Sequence, residues 1–184
     1  LRRKIRMISF AIYRLPDTDT CVKISSDSMP KRLSSYAELE NKSGFVFAPF
    51  CLDNDSLLLI SPDKIEVMKC EEMQGVDEET KLDVSFDRDA YRKDFECFHS
   101  NLLDASFDKL VLSRTISVDS SIEKRAISLF VKACKMYPHQ FVSLVSTPES
   151  GTWLMSTPEV LLEKGSNTSK WHTMALAGTM KTPG

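Results

Sequence analysis

Glycine is scarce in this sequence: six are scattered over 184 residues. None falls in a GxGxxG run or a P-loop, so the backbone cradle of a nucleotide-phosphate site is not written here. Histidine is scarcer still, and His99, His139 and His172 lack the spacing of a metal-ligand set. His99 stands two residues from Cys97 in a helical pattern, a separation that turns the two side chains to different faces. No GxSxG elbow offers a serine nucleophile. The five cysteines (Cys21, Cys51, Cys70, Cys97, Cys134) are odd in number, widely spread and without a CxxC pair. Neither a disulfide framework nor a zinc knuckle is expected from them, and Cys97 and Cys134, inside helical patterns, are expected as small buried hydrophobes.

Long apolar runs are missing as well. The basic start (Arg2, Arg3, Lys4, Arg6) leads into an apolar stretch only from Met7 to Tyr13, broken by Arg14, Pro16 and Asp17. No small-residue cleavage site follows, so neither a signal peptide nor a membrane span is expected, and the cytoplasm is the expected compartment. Charge of one sign is missing too. A formal net charge of -2 creates no global field that would favour nucleic acid or an acidic membrane as partner.

What is present is an ordinary globular composition, 42% hydrophobic and 27% charged, long enough for one generous domain or two small ones sharing a core. The run Met7 to Tyr13 reads as a strand, and after a loop at Pro16 to Thr20 the run Cys21 to Ile24 completes a hairpin. Gly44 to Pro49 and Ser56 to Ile60 read as two further short strands. The acidic stretch 71–86 reads as a linker or loop between an N-terminal subdomain, 1–70, and the remainder, 87–184.

Tyr91, Phe95, Phe98, Leu102 and Leu103 recur at helical spacing, with Ser85 or Asp87 able to cap the start. The β-branched run Lys109 to Val118 reads as a strand. A second amphipathic helix is expected from about Ser121 to Tyr137, with Ile122, Ala126, Leu129, Phe130 and Ala133 on one stripe and Pro138 ending it. Strands follow at Phe141 to Val145, Thr152 to Met155, Val160 to Glu163 and Thr173 to Ala177. The turn Thr147 to Gly151 makes the first two antiparallel neighbours. This order predicts an α+β fold of mostly antiparallel sheet layers with flanking helices.

Two segments carry candidate chemistry. Alternation along the 109–118 strand puts Lys109 on its more polar face and Arg114 on its apolar face, where a guanidinium needs a carboxylate or carbonyl partner. Ser156-Thr-Pro-Glu159 is a loop between strands that presents a carboxylate near a hydrophobic surround, and burial there raises a carboxyl pKa toward that of a proton donor.

These segments also carry a resemblance. Phe107-Asp-Lys-Leu-Val-Leu-Ser-Arg114 resembles the lysine strand of isochorismate and salicylate synthases. Ser156-Thr-Pro-Glu159 with Val160-Leu-Leu-Glu163 resembles their glutamate loop, and Ala175-Leu-Ala-Gly-Thr179 their Ala-Gly-Thr motif. The three stand in the family's order and spacing. The resemblance implies the fold of the chorismate-utilising enzymes (anthranilate synthase component I-like), incomplete in this chain. It implies chorismate as substrate, Lys109 as the general base that activates water, Glu159 as the general acid at the departing hydroxyl, and Ala177, Gly178 and Thr179 as substrate contacts. A lysine in place of the glutamine of ammonia-using relatives implies the water-using branch, with isochorismate synthase as the first reading. Salicylate synthase, another chorismate-utilising enzyme, or a non-catalytic binding domain that kept part of the fold remain as alternatives. Magnesium is the implied cofactor, with ligands expected beyond residue 184, so the chain is expected to be an inactive N-terminal portion. Open sheet edges are then expected to invite self-association. A menaquinone and a siderophore pathway are both compatible with these residues.

Overall fold

The computed structural model describes residues 8–52, 55–73, 75, 87–117, 125–165 and 169–175. The chain divides into two compact units, residues 1–77 with 123–184 and residues 78–122.

The larger unit is built on a five-stranded antiparallel sheet. Its strands are β1 (Ser9–Arg14), β2 (Thr20–Ser26), β6 (Lys64–Lys69), β7 (Phe141–Thr147) and β8 (Gly151–Thr157), in the order β6-β2-β1-β7-β8. The expected β1–β2 and β7–β8 hairpins are both present, with Arg14 opposite Cys21 and Leu144 opposite Leu154. β1 then pairs with β7, setting Ile12 against Leu144 and Arg14 against Val142. Gly151 closes the β7–β8 turn with a φ of 71°, a left-handed conformation that costs a side-chain-bearing residue about 1 kcal/mol.

Strand alternation gives the central sheet two buried faces. On one, Ile12, Cys21, Val142 and Leu144 pack with Ala126, Phe130 and Cys134 of helix α2 (Ala126–Met136), and Phe10 lies against them. On the other, Ala11, Ile24 and Val145 pack with Ile60, flanked by Tyr13, Phe45 and Phe47. Ile60, Phe45 and Phe47 belong to a smaller sheet of β3 (Lys31–Leu33), β4 (Phe45–Phe47) and β5 (Leu57–Ile60), in the order β3-β5-β4. All four residues of β5 are buried, as expected for a short apolar strand that is central in its sheet. Gly44 precedes β4 at a point where a Cβ would meet the Ile60 carbonyl oxygen at 2.3 Å, so only glycine fits. A short antiparallel pair, β9 (Glu163–Lys164) and β10 (Trp171–His172), completes the described strands. The fold class is α+β with antiparallel sheets, as expected. No helix among the described residues is long and apolar enough to cross a membrane.

Arg14 fastens helix to sheet. It continues the Phe10-Ile12 face of β1, is 2% exposed, and donates to the carbonyls of Leu15 (3.0 Å), Pro138 (2.6 Å), Tyr137 (2.6 Å) and Gln140 (2.9 Å). Tyr137 is the C-cap of α2, where outward carbonyls lack partners and the helix dipole is negative.

In the smaller unit, helix α1 (Arg88–Leu103) starts as expected, with the Asp87 side chain accepting from the Ala90 N–H at 2.9 Å. Its aromatic stripe forms a stack, with ring centroids 6.2 Å apart for Tyr91–Phe95 and 5.4 Å for Phe95–His99. Cys97 is exposed, which corrects its expected burial; Cys134 is buried, as expected. The expected strand Lys109 to Val118 is also corrected. Residues 109–117 form no strand, because strand propensity needs a partner edge and no described residue of this unit lies in a strand. Val118 lies outside the described residues.

The absence of a disulfide is overturned as well: Cys21 and Cys70 are bonded, with Cα atoms 5.4 Å apart. Antiparallel pairing of β2 with β6 sets Thr20 opposite Lys69, so Cys21 and Cys70 meet at one end of the ladder although 49 residues separate them.

Two predictions follow from this geometry. Replacing Arg14 by methionine removes a buried guanidinium and leaves the carbonyls of Tyr137, Pro138 and Gln140 without their donor; it should cost about 3 kcal/mol, measured as a lower urea midpoint. Asp63 accepts from the Asp27 N–H (2.8 Å) and the Ser26 hydroxyl (2.9 Å), bonds that hold its carboxyl below the ordinary 3.8. A folded-state pKa below the unfolded one stabilises above pH 3.8 and is lost as pH falls through the lowered value. Asp63→Asn should therefore flatten the acid limb of a stability-versus-pH curve, with little change in slope near neutrality.

Candidate active site

The glutamate loop begins where β8 ends. Pro158 has no N–H to continue a ladder, and the Glu159 N–H turns back to the Thr157 hydroxyl at 3.3 Å. Beyond it the chain pairs with itself. The Met174 N–H reaches the Val160 carbonyl at 2.8 Å, and the Thr173 hydroxyl reaches the Leu161 carbonyl at 2.7 Å. Glu159 thus sits one residue before a paired segment; Ala177, Gly178 and Thr179 lie outside the described residues. Regular strand is shorter here than expected. Among the described residues of Val160–Glu163 and Thr173–Ala177, only Glu163 is in a strand, and the antiparallel bridge falls instead at Trp171–Lys164 and His172–Glu163. Glu159 is exposed, and the expected burial is not seen around it.

Lys109 belongs to the other unit. After α1 the chain reverses through Asp104 and Ala105, the latter with a φ of 58°. The Ser106 hydroxyl and N–H both bond the Asp104 carboxyl and hold it below its ordinary pKa. The Phe107 N–H donates to the Asn101 carbonyl at 3.2 Å, so Lys109 follows directly on a tied-down helix end. Its side chain is exposed. Arg114 does find the partners its charge requires: the Asp94 carboxylate at 3.2 Å, the Asp87 carbonyl at 3.4 Å and the Tyr91 ring face at 5.8 Å.

A cavity beside β8 was not anticipated from sequence. It measures about 580 Å³ in the larger unit and is lined by Arg32, Phe47, Glu149, Trp153 and Met155 among others, but not by Glu159. Arg32 Nε stands 2.5 Å from Glu149 Oε2, and the Phe47 and Trp153 rings lie 5.8 Å apart. Glu149 sits in the Thr147 to Gly151 turn, and nothing in that pattern separates a cavity wall from an ordinary exposed turn.

Among the described residues one group of three or more metal-ligating side chains comes together. The group of His, Cys, Asp and Glu whose donor atoms converge is Cys21, Cys70 and Cys134, and magnesium takes oxygen rather than sulfur. These residues do not fit that ion.

The α+β architecture with antiparallel sheets is consistent with the fold of enzymes that bind chorismate. The family model for chorismate binding enzymes matches residues 50–183, and the chain belongs to that family. No curated protein and no solved structure matches it.

The Arg114 contacts yield a test of local order. Arg114→Ala removes the ion pair, the carbonyl contact and the ring contact together. It should lower ¹⁵N heteronuclear NOEs across residues 109–117 while the helical far-ultraviolet signal is retained.

Proposed function

We propose that this protein is an isochorismate synthase, which adds water at C2 of chorismate as the C4 hydroxyl departs. The observation that carries the reading is Lys109 within Phe107–Arg114, in register with the glutamate loop at Glu159, inside a stretch matched by the chorismate-binding family. Lysine at that position favours water over ammonia as nucleophile.

In this reading Lys109 takes the proton from the attacking water and Glu159 gives a proton to the leaving hydroxyl. The roles need opposite protonation at one pH: a lysine kept neutral by desolvation or nearby positive charge, and a glutamic acid kept protonated by burial. Both side chains are exposed in the chain as described, so substrate has to supply the desolvation when it binds. Ala177, Gly178 and Thr179 are the proposed substrate contacts, Gly178 because a missing Cβ lets backbone approach a ligand closely. The resemblance attaches magnesium to this reaction, with its ligands expected beyond residue 184.

The test is chorismate turnover by the full-length protein with magnesium, with products separated chromatographically. Isochorismate is expected. Lys109→Ala and Glu159→Gln should each lower kcat by about 100-fold or more while the fold, followed by circular dichroism, is unchanged. Salicylate as the enzymic product points to the lyase-bearing branch. Absence of turnover by folded protein overturns the enzymatic reading.

A further inference from the structure

Three of the five cysteines meet in one place although no motif links them. Cys21 opens β2, Cys70 lies in the 3-10 turn after β6, and Cys134 is near the end of α2, at 0%, 9% and 8% exposure. Their sulfurs all lie within 4.8 Å of one another. The Cys21–Cys70 bond uses two of them and leaves Cys134 as a free thiol against it.

A purely apolar role accounts for the burial but not for the surroundings. Arg14 pairs across the ladder with Cys21, its guanidinium lies beside the Cys134 thiol, and its Nε is buried without a hydrogen-bond partner. A cavity of about 280 Å³ reaches Cys70 and Cys134 and is walled by Arg14, Asp19, Lys69 and Glu71 among others. Three sulfurs, a buried cation and an opening large enough for water make a ligand site rather than a packing detail.

We propose that in the reduced chain Cys21, Cys70 and Cys134 form a three-thiolate site for a thiophilic divalent cation, Zn²⁺ by its ligand chemistry, and that the Cys21–Cys70 disulfide is the oxidised, cation-free form of the same site. A dithiol reductant passes two electrons and two protons to the disulfide and is itself oxidised to a disulfide. The cation then displaces the three S–H protons to solvent as three S–Zn bonds form. Zinc–sulfur bonds of about 2.3 Å place tetrahedral sulfurs about 3.8 Å apart, within the spread already present. Zn²⁺ with three thiolates carries one net negative charge, which the Arg14 guanidinium offsets. The fourth position faces the cavity and takes a water. The site joins β2, the end of β6 and α2, and it is independent of the chorismate reading.

The experiment uses full-length protein reduced with a phosphine under anaerobic conditions and titrated with Co²⁺ as a spectroscopic stand-in for Zn²⁺. Expected are visible bands of tetrahedral cobalt and a near-ultraviolet sulfur-to-cobalt band, saturating at one equivalent for this site and abolished by Zn²⁺. Cys134→Ser should weaken binding by about 100-fold or more, whereas the Cys51→Ser/Cys97→Ser double variant should bind as the parent does. Because a core variant can unfold, Zn²⁺ protection of Cys21, Cys70 and Cys134 from alkylation is read in the unaltered protein by mass spectrometry. Protection of all three supports the site. The proposal is overturned by folded, fully reduced protein that gives no bands and no protection, by bands that persist unchanged in Cys134→Ser, or by bands lost in the Cys51/Cys97 variant. Chorismate turnover measured on the same samples reports separately on the enzymatic reading.

Discussion

A buried guanidinium organises the larger unit. Arg14 stands on the helix-facing side of β1, almost wholly out of water, and a charge in that position is tolerated only where dipoles replace its hydration. The replacements are carbonyls, three of them from Tyr137, Pro138 and Gln140, where α2 ends and β7 is about to begin. The contact therefore sets how far α2 extends, where its negative end points and where β7 enters the sheet beside β1. It joins the first described strand to residues more than 120 positions later, so the two chain segments of the larger unit are tied together by one side chain.

The same residue defines the chemistry of its surroundings. Cys21 is its cross-strand partner on β2, and Cys134 comes from the helix it fastens. Burial raises the Cys134 thiol pKa, while the guanidinium acts in the opposite direction and is outweighed. A thiol kept protonated by burial is stable in a core, and a cation that binds sulfur changes that balance by stabilising the thiolate directly.

Local features of the chain were readable where a short stretch contains the whole physical reason. The hairpins at Ser9–Ser26 and Phe141–Thr157 follow from apolar runs separated by turn residues. Helix α1 follows from Asp87 and the spacing of Tyr91 and Phe95, and α2 from the stripe Ala126-Phe130 and the stop at Pro138. β3 and β6 were missed for the converse reason. Lys31-Arg-Leu33 has no distinguishing pattern, and the alternation in Lys64–Lys69 is diluted by edge lysines, a composition common where a strand borders solvent. The run 109–117 shows the opposite failure: strand-forming residues without a neighbouring strand among the described residues of their unit remain irregular.

Sequence alone determined the α+β class, the two helices, the main hairpins, and, through three short motifs in order, the resemblance to chorismate-using enzymes with which the family match agrees. These depend on side-chain period, capping and motif spacing, all properties of neighbouring residues. Tertiary structure decided which strands became neighbours, and with that the pairing of Cys21 with Cys70, the arrival of Cys134 beside them and the cavity around Trp153. Those features depend on sheet order and on a helix docking over it. Contacts between residues 49 or more than 100 positions apart leave no trace in a local pattern, because the fold, rather than the spacing, brings them together.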